Sequence, residues 1–198
     1  MYNYDPLIEL ARKNYGIITT GMVVKEGIRK EKIKEMLDAD LILRVSRGVY
    51  VLKGSDYDEY KEFQTICSKG IYSYGTAAYF WGLSDRVPNI LSCTVPQGFN
   101  ATQLKTDIKV KFHYVKQEIY EMGITQIKSP QGALVYSYDM ERTICDLIRS
   151  HDKMDVQLFG GALTGYFKRN DKNIRKLVKY GKKMNITTDI ERYMEVLQ

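Results

Sequence analysis

The sequence predicts an α/β (α+β) protein: an N-terminal winged helix-turn-helix, residues 1–55, followed by a mixed α/β C-terminal domain, residues 59–198. Three observations lead there. Three short helical patterns and a glycine-turned hairpin follow one another within the first 52 residues. The stretch Gly54-Ser55-Asp56-Tyr57-Asp58 is short and polar, as a hinge between domains would be. Beyond it, apolar positions of helical period are interleaved with runs of period two.

In the first part, Asp5 is placed to cap a helix from Pro6 to about Asn14, because proline is tolerated at the first helical position and Leu7, Ile8, Leu10 and Ala11 share a side. Thr19 or Thr20 can cap a second helix through Met22, Val23 and Val24, which Gly27 stops. Residues 28–40 read as a third helix, with Ile33, Met36 and Leu37 at i, i+3 and i+4 facing the other two. Leu41 to Ser46 and Val49 to Leu52 then form a β-hairpin turning at Arg47-Gly48, where glycine accepts a positive φ.

The second part opens with a helix through Tyr57, Tyr60, Phe63 and Cys67, then another around residues 75–83. Strands follow at residues 90–95, at 108–114 with alternating Ile108, Val110, Phe112 and Tyr114, and at 133–138. Asp139 caps a helix whose Met140, Ile144, Leu147 and Ile148 share a face. Three helices close the chain, marked by Val156 to Phe167, by Ile174 to Val178, and by a capping box Thr188-x-x-Glu191 ahead of Tyr193, Met194 and Leu197.

Thirty Lys and Arg against 24 Asp and Glu give a net charge of +6, which favours an anionic partner. Cys67, Cys93 and Cys145 are widely spaced and odd in number, so they suggest reduced core thiols, not a disulfide framework or a zinc site. The N-terminus has no secretion-signal pattern and no apolar run approaches the ~18 residues of a membrane span. A cytoplasmic protein without a membrane partner is expected.

In a winged helix the third helix enters the major groove and the wing reaches backbone or minor groove. Arg29, Lys30 and Lys34 are then the helix contacts, Arg44 and Arg47 the wing contacts, with Thr20 and Lys32 completing the candidate DNA-binding set. Glu31, Glu35 and Asp38 lie opposite the apolar face, and residues 1–55 carry ten basic and seven acidic side chains. Binding is therefore expected from the helix start and the wing, not from a broad field; a docking module for another protein would show the same pattern.

A second basic feature spans residues 168–183. Lys172, Arg175, Lys176, Lys179, Lys182 and Lys183 fall on one stripe of a helix, with Ile174, Leu177, Val178 and Met184 opposite. The stripe reads equally as a solvated face or as a second nucleic-acid or partner surface. Catalytic candidates are sparse. His113 and His151 lack metal-binding neighbours, and the cluster Asp139, Glu141 and Asp146 is explained by capping and by an Arg142–Asp146 pair at i, i+4. Gly160-Gly161 lacks the spacing and lysine of a phosphate loop and suggests close helix packing. No enzymatic activity, metal or cofactor is expected.

Three segments together, Arg44-Val45-Ser46-Arg47-Gly48-Val49-Tyr50, residues 75–83 (GTAAYFWGL) and residues 138–148 (YDMERTICDLI), resemble the AbiEi antitoxins of bacterial abortive-infection systems in order and spacing over nearly the whole chain. The resemblance implies a type IV toxin–antitoxin arrangement. Its winged helix represses its own operon at inverted-repeat operator DNA, and its C-terminal domain counters a nucleotidyltransferase-like toxin without forming a stable complex. It supplies no residue-level active site. A ligand-sensing winged-helix regulator, for which a small-molecule pocket would be the sign, and a nucleotide-processing enzyme, which needs Asp139 and Asp146 in an open cleft, are the competing readings.

Overall fold

The computed structural model describes residues 5–197, with side chains from Pro6 onward, so the expected Asp5 cap lies outside the described side chains. The chain forms two compact units: the chain up to Ser68 with Asn100–Ile108 and Lys128–Val135, and Lys69–Phe99, Lys109–Ile127 and the chain from Tyr136 on.

The first unit begins with α1 (Asp5–Lys13), β1 (Ile17–Thr19), α2 (Thr20–Lys25), α3 (Glu31–Asp38), β2 (Ile42–Ser46) and β3 (Val49–Leu52). The helices pack as their periodicity requires: Leu7, Ala11, Val23, Ile33 and Met36 form one core with Ile18, Ile42, Tyr50 and Leu52 of the strands. Burying each large aliphatic side chain stabilises the unit by roughly 1.5–3 kcal/mol. Thr19 caps α2, its hydroxyl oxygen accepting from the Met22 N–H at 3.1 Å.

The strand β1 has no counterpart in the sequence reading, because three residues are too few to show an alternation. It pairs antiparallel with β3, giving the order β1-β3-β2, and all four residues of β3 are buried as the central strand. The third helix is shorter than the expected 28–40. Gly27, at φ +69°, ends α2, and Arg29 and Lys30 then lie in a turn whose carbonyls accept from Lys32 and Ile33, three residues ahead, not four.

The polar stretch at 54–58 is not a loose hinge. Asp58, 1% exposed, caps α4 (Glu59–Ile66), with Oδ1 accepting from the Lys61 N–H at 2.9 Å. Its Oδ2 accepts from the Ser129 hydroxyl and from the Ala133 N–H. A buried carboxylate requires such donors. They lie about 70 residues further on, so α4 groups with the winged helix, and the compact unit runs past the boundary expected at 54–58.

The rest supplies β4 (Ile71–Tyr72), α5 (Tyr74–Phe80), β5 (Leu91–Pro96), β6 (Val110–Val115), α6 (Gln117–Tyr120), β7 (Ile124–Lys128), β8 (Leu134–Tyr138), α7 (Met140–Arg149), α8 (Val156–Lys168), α9 (Ile174–Met184) and α10 (Thr187–Leu197). A five-stranded sheet runs β6-β5-β4-β8-β7, with β4 antiparallel to β5 and parallel to β8, and β5 parallel to β6. β4 and β7 went unread in the sequence, the first being two residues long and the second polar at Thr125, Gln126 and Lys128. α6 is a single turn and was likewise missed.

Helix α7 is the centre of this unit: Met140 to Ile148 are all buried, and Ala162, Leu163, Tyr166, Leu177 and Ile190 of α8, α9 and α10 join its core. Two terminal expectations change. Helix α10 starts at Thr187, with Ile190 N–H donating to Ile186 C=O, so Thr188 lies inside the first turn and cannot form the capping box with Glu191. A Cβ on Gly160 or Gly161 would meet nothing within 4 Å, whereas one on Gly181 of α9 would collide with the Ile190 side chain. Among the glycines of the closing helices, Gly181, not the Gly160-Gly161 pair, is the one in close packing.

Candidate nucleic-acid interface

The wing is built by the hairpin β2–β3. Its register slips between Arg44 and Ser46, a bulge that bends the strand at the arginine, and Gly48 closes the turn at φ +73°. Arg44 and Arg47 are both exposed, and the Arg44 Nε–H donates to the Ser46 carbonyl at 3.3 Å. Thr20 sits against this turn: its N–H donates to the Gly48 carbonyl at 3.0 Å. The strand β1 thus brings the start of α2 and the tip of the wing together.

Around α3 the cations divide. Arg29, Lys30 and Lys34 are exposed, the first two in the turn that precedes the helix. Lys32 is half-buried and paired with Glu35 at 2.6 Å, which leaves its charge compensated. Glu31 and Asp38 are exposed on the same helix, so the mixed face expected from the sequence is retained.

Sequence reasoning missed the far wall of the wing. A groove of about 750 Å³ is lined by Arg44, Val45, Ser46 and Arg47 together with Ile66 of α4 and Gln103, Leu104 and Lys105, which follow a 3-10 turn at Ala101–Gln103. Gln103 and Lys105 are exposed. No local signal could mark them, since the segment reaches the wing through tertiary packing.

The stripe on α9 is less uniform than its spacing. Arg175, Lys179, Lys182 and Lys183 are exposed. Lys172 donates to the Arg169 carbonyl at 2.9 Å, and Lys176 pairs with Asp139 at 2.9 Å and with Glu141 at 3.5 Å. Those acids are committed to structure. Asp139 caps α7 through the Arg142 N–H at 2.8 Å and accepts from the Tyr180 hydroxyl at 3.0 Å, and burial with Asp139 beside it pushes Tyr180 up to about 12. Glu141 Oε1 accepts from the Asn173 N–H at 3.0 Å and from the Tyr166 hydroxyl at 3.4 Å.

Asp146 is 2% exposed and bound by Arg142 at 3.0 Å, the i, i+4 pair that the sequence implies. Arg142 is fully buried, lies 4.1 Å from the Tyr138 ring centroid and donates to the Ile119 and Met122 carbonyls. Burial raises the Asp146 carboxyl above the ordinary carboxylate range, with Arg142 holding it back. Asp139 and Asp146 therefore form no open cleft. All three cysteines are buried and none is in a disulfide among the described residues.

Residues 5–53 match the family of AbiEi antitoxin transcriptional regulators. The match covers the winged helix and contains all seven candidate DNA-binding residues, Thr20 to Arg47, so the AbiEi resemblance is borne out over this module. The Asp139 network and the α9 stripe lie outside it. Over the larger part of the chain, the fold is similar to that of the RV2827C protein of Mycobacterium tuberculosis, with a TM-score of 0.59 and 13% identity, covering 89% of this chain and 70% of that one. At that identity the likeness concerns the fold. No curated protein sequence matches significantly. Among the described residues no helix is long and apolar enough to cross a membrane.

Proposed function

We propose that this protein is the antitoxin and transcriptional autorepressor of a type IV abortive-infection operon. Residues 1–55 bind inverted-repeat operator DNA, and residues 59–198 counter a nucleotidyltransferase-like toxin without a stable complex, in the cytoplasm. The observation that carries the reading is the AbiEi-type module itself, with exposed Arg44 and Arg47 on a bulged wing whose tip lies beside Thr20. Arginines on a wing suit phosphate and minor-groove contacts, and Arg29 and Lys30 stand ready at the start of α3.

The test is an operator gel shift. Replacing Arg44 and Arg47 together by Ala is expected to weaken binding at least about tenfold and to flatten its salt dependence, because each lost phosphate contact removes released counterions. Undiminished affinity would sink the wing assignment. Growth rescue by the chain when its neighbouring toxin gene is expressed tests the antitoxin half.

A second reading, a ligand-sensing winged-helix regulator unrelated to a toxin, is favoured by one observation, a cavity of about 490 Å³ in the C-terminal unit.

A further inference from the structure

The cavity lies where α5 begins beside β5 and β6, and its wall is completed by residues 86–90 and 150–158. At about 490 Å³ it falls within the ~300–1,000 Å³ of small-molecule sites. Its lining has two characters. Val87 and Ile90, 56% and 53% exposed, stand with half-buried Met154 and Leu158 as an apolar wall. Large aliphatic residues left that open at the mouth of a cavity are apolar surface available to a ligand.

The other character is positive. Arg86, Lys111 and Lys153 line the cavity against one acid, Asp155, and Arg86 is paired with that acid at 3.2 Å. Lys111 and Lys153 are exposed and form no ion pair among the described residues. His113 adds no charge at neutral pH, since burial, with Lys111 beside it, pushes it down to about 4. Its ring stacks on Tyr74 at 3.8 Å between centroids, and its buried Nε2 has no hydrogen-bond partner among the described residues. Tyr74 itself holds a left-handed backbone at φ +49°, a strained conformation for a bulky residue and one that concentrates at ligand sites.

We propose that this cavity binds a small organic anion, its flat apolar body against Val87, Ile90, Met154 and Leu158 and its acid group held by Lys111 and Lys153. A neutral apolar molecule would leave both lysines unused, and a bare inorganic anion would leave the apolar wall wet.

The test uses anilinonaphthalene sulfonate, an aromatic sulfonate of suitable size, followed by fluorescence with the full chain. Saturable binding at one site is expected. In the Lys111→Ala/Lys153→Ala double variant the Kd should rise about tenfold or more, as loss of charged hydrogen bonds implies, and Ile90→Asp should weaken binding comparably. Near-ultraviolet circular dichroism establishes that each variant is folded; an unfolded Ile90→Asp is replaced by Ile90→Ser. Non-saturable fluorescence, or an unchanged Kd in the double lysine variant, overturns the proposal. Because no DNA is present, either result leaves the operator reading standing on its own test.

Discussion

Glu62 of α4 is a residue whose chemistry departs from its sequence context. It is 5% exposed, and burial, reinforced by Glu59 and Asp107, raises its carboxyl to about 7. A raised carboxyl stabilises the fold fully below its unfolded value of about 4.5, and that contribution is lost as pH rises through the folded value. Urea unfolding of the wild type against Glu62→Gln should therefore diverge between pH 4.5 and 7.5, the Gln variant gaining about 1–3 kcal/mol relative to the wild type over that window. Parallel curves would show that Glu62 is ionised freely. Asp58→Ala removes a cap and the acceptor of the buried Ser129 hydroxyl, and should cost about 1–3 kcal/mol by the same measurement. Neither value was legible in the chain, because burial and partners from residues 107, 129 and 133 set both.

The α9 element shows how spacing and surroundings can disagree. Its stripe is legible, and its apolar face of Leu177 and Met184 is buried as the period requires. Which cations remain free is decided by α7, whose first turn presents Asp139 and Glu141 to Lys176. Lys176→Glu should thus lower the thermal midpoint by about 3–6 °C, whereas Lys179→Glu and Lys183→Glu should shift it by less than about 1 °C. If Lys176→Glu melts like its two neighbours, the network adds nothing to stability. The α9–α10 contact has its own weak point: Gly181→Ala drives a methyl into Ile190 and should destabilise by about 1–3 kcal/mol, as overpacking does, while Gly160→Ala should be neutral or stabilising. Loss of antitoxin or DNA-binding activity in the Lys179/Lys183 pair, with melting unchanged, would turn that remnant of the stripe from a solvated face into a surface.

At the scale of the whole molecule, the division of the chain carries the clearest consequence. The winged-helix unit takes in α4, Asn100–Ile108 and Lys128–Val135, and the Tyr15 hydroxyl and carbonyl bond Gly132 and Asp58 within it. A fragment of residues 1–55 is expected to unfold at lower denaturant than the full chain, with the Arg44–Lys105 groove lost along with its far wall; equal midpoints would mean that the module stands alone. The sequence by itself determined the helices other than the single turn of α6, the hairpin, the Asp139 cap and the Arg142–Asp146 pair, because each rests on a period or on a spacing of a few residues. Only the tertiary structure decided that β1 and β4 are strands, that Asp58 is a buried tie, that Lys176 is spent on α7, and that Lys105 faces the wing. The reason is common to all of them: a short strand takes its partner, and a charged side chain its environment, from residues far away along the chain.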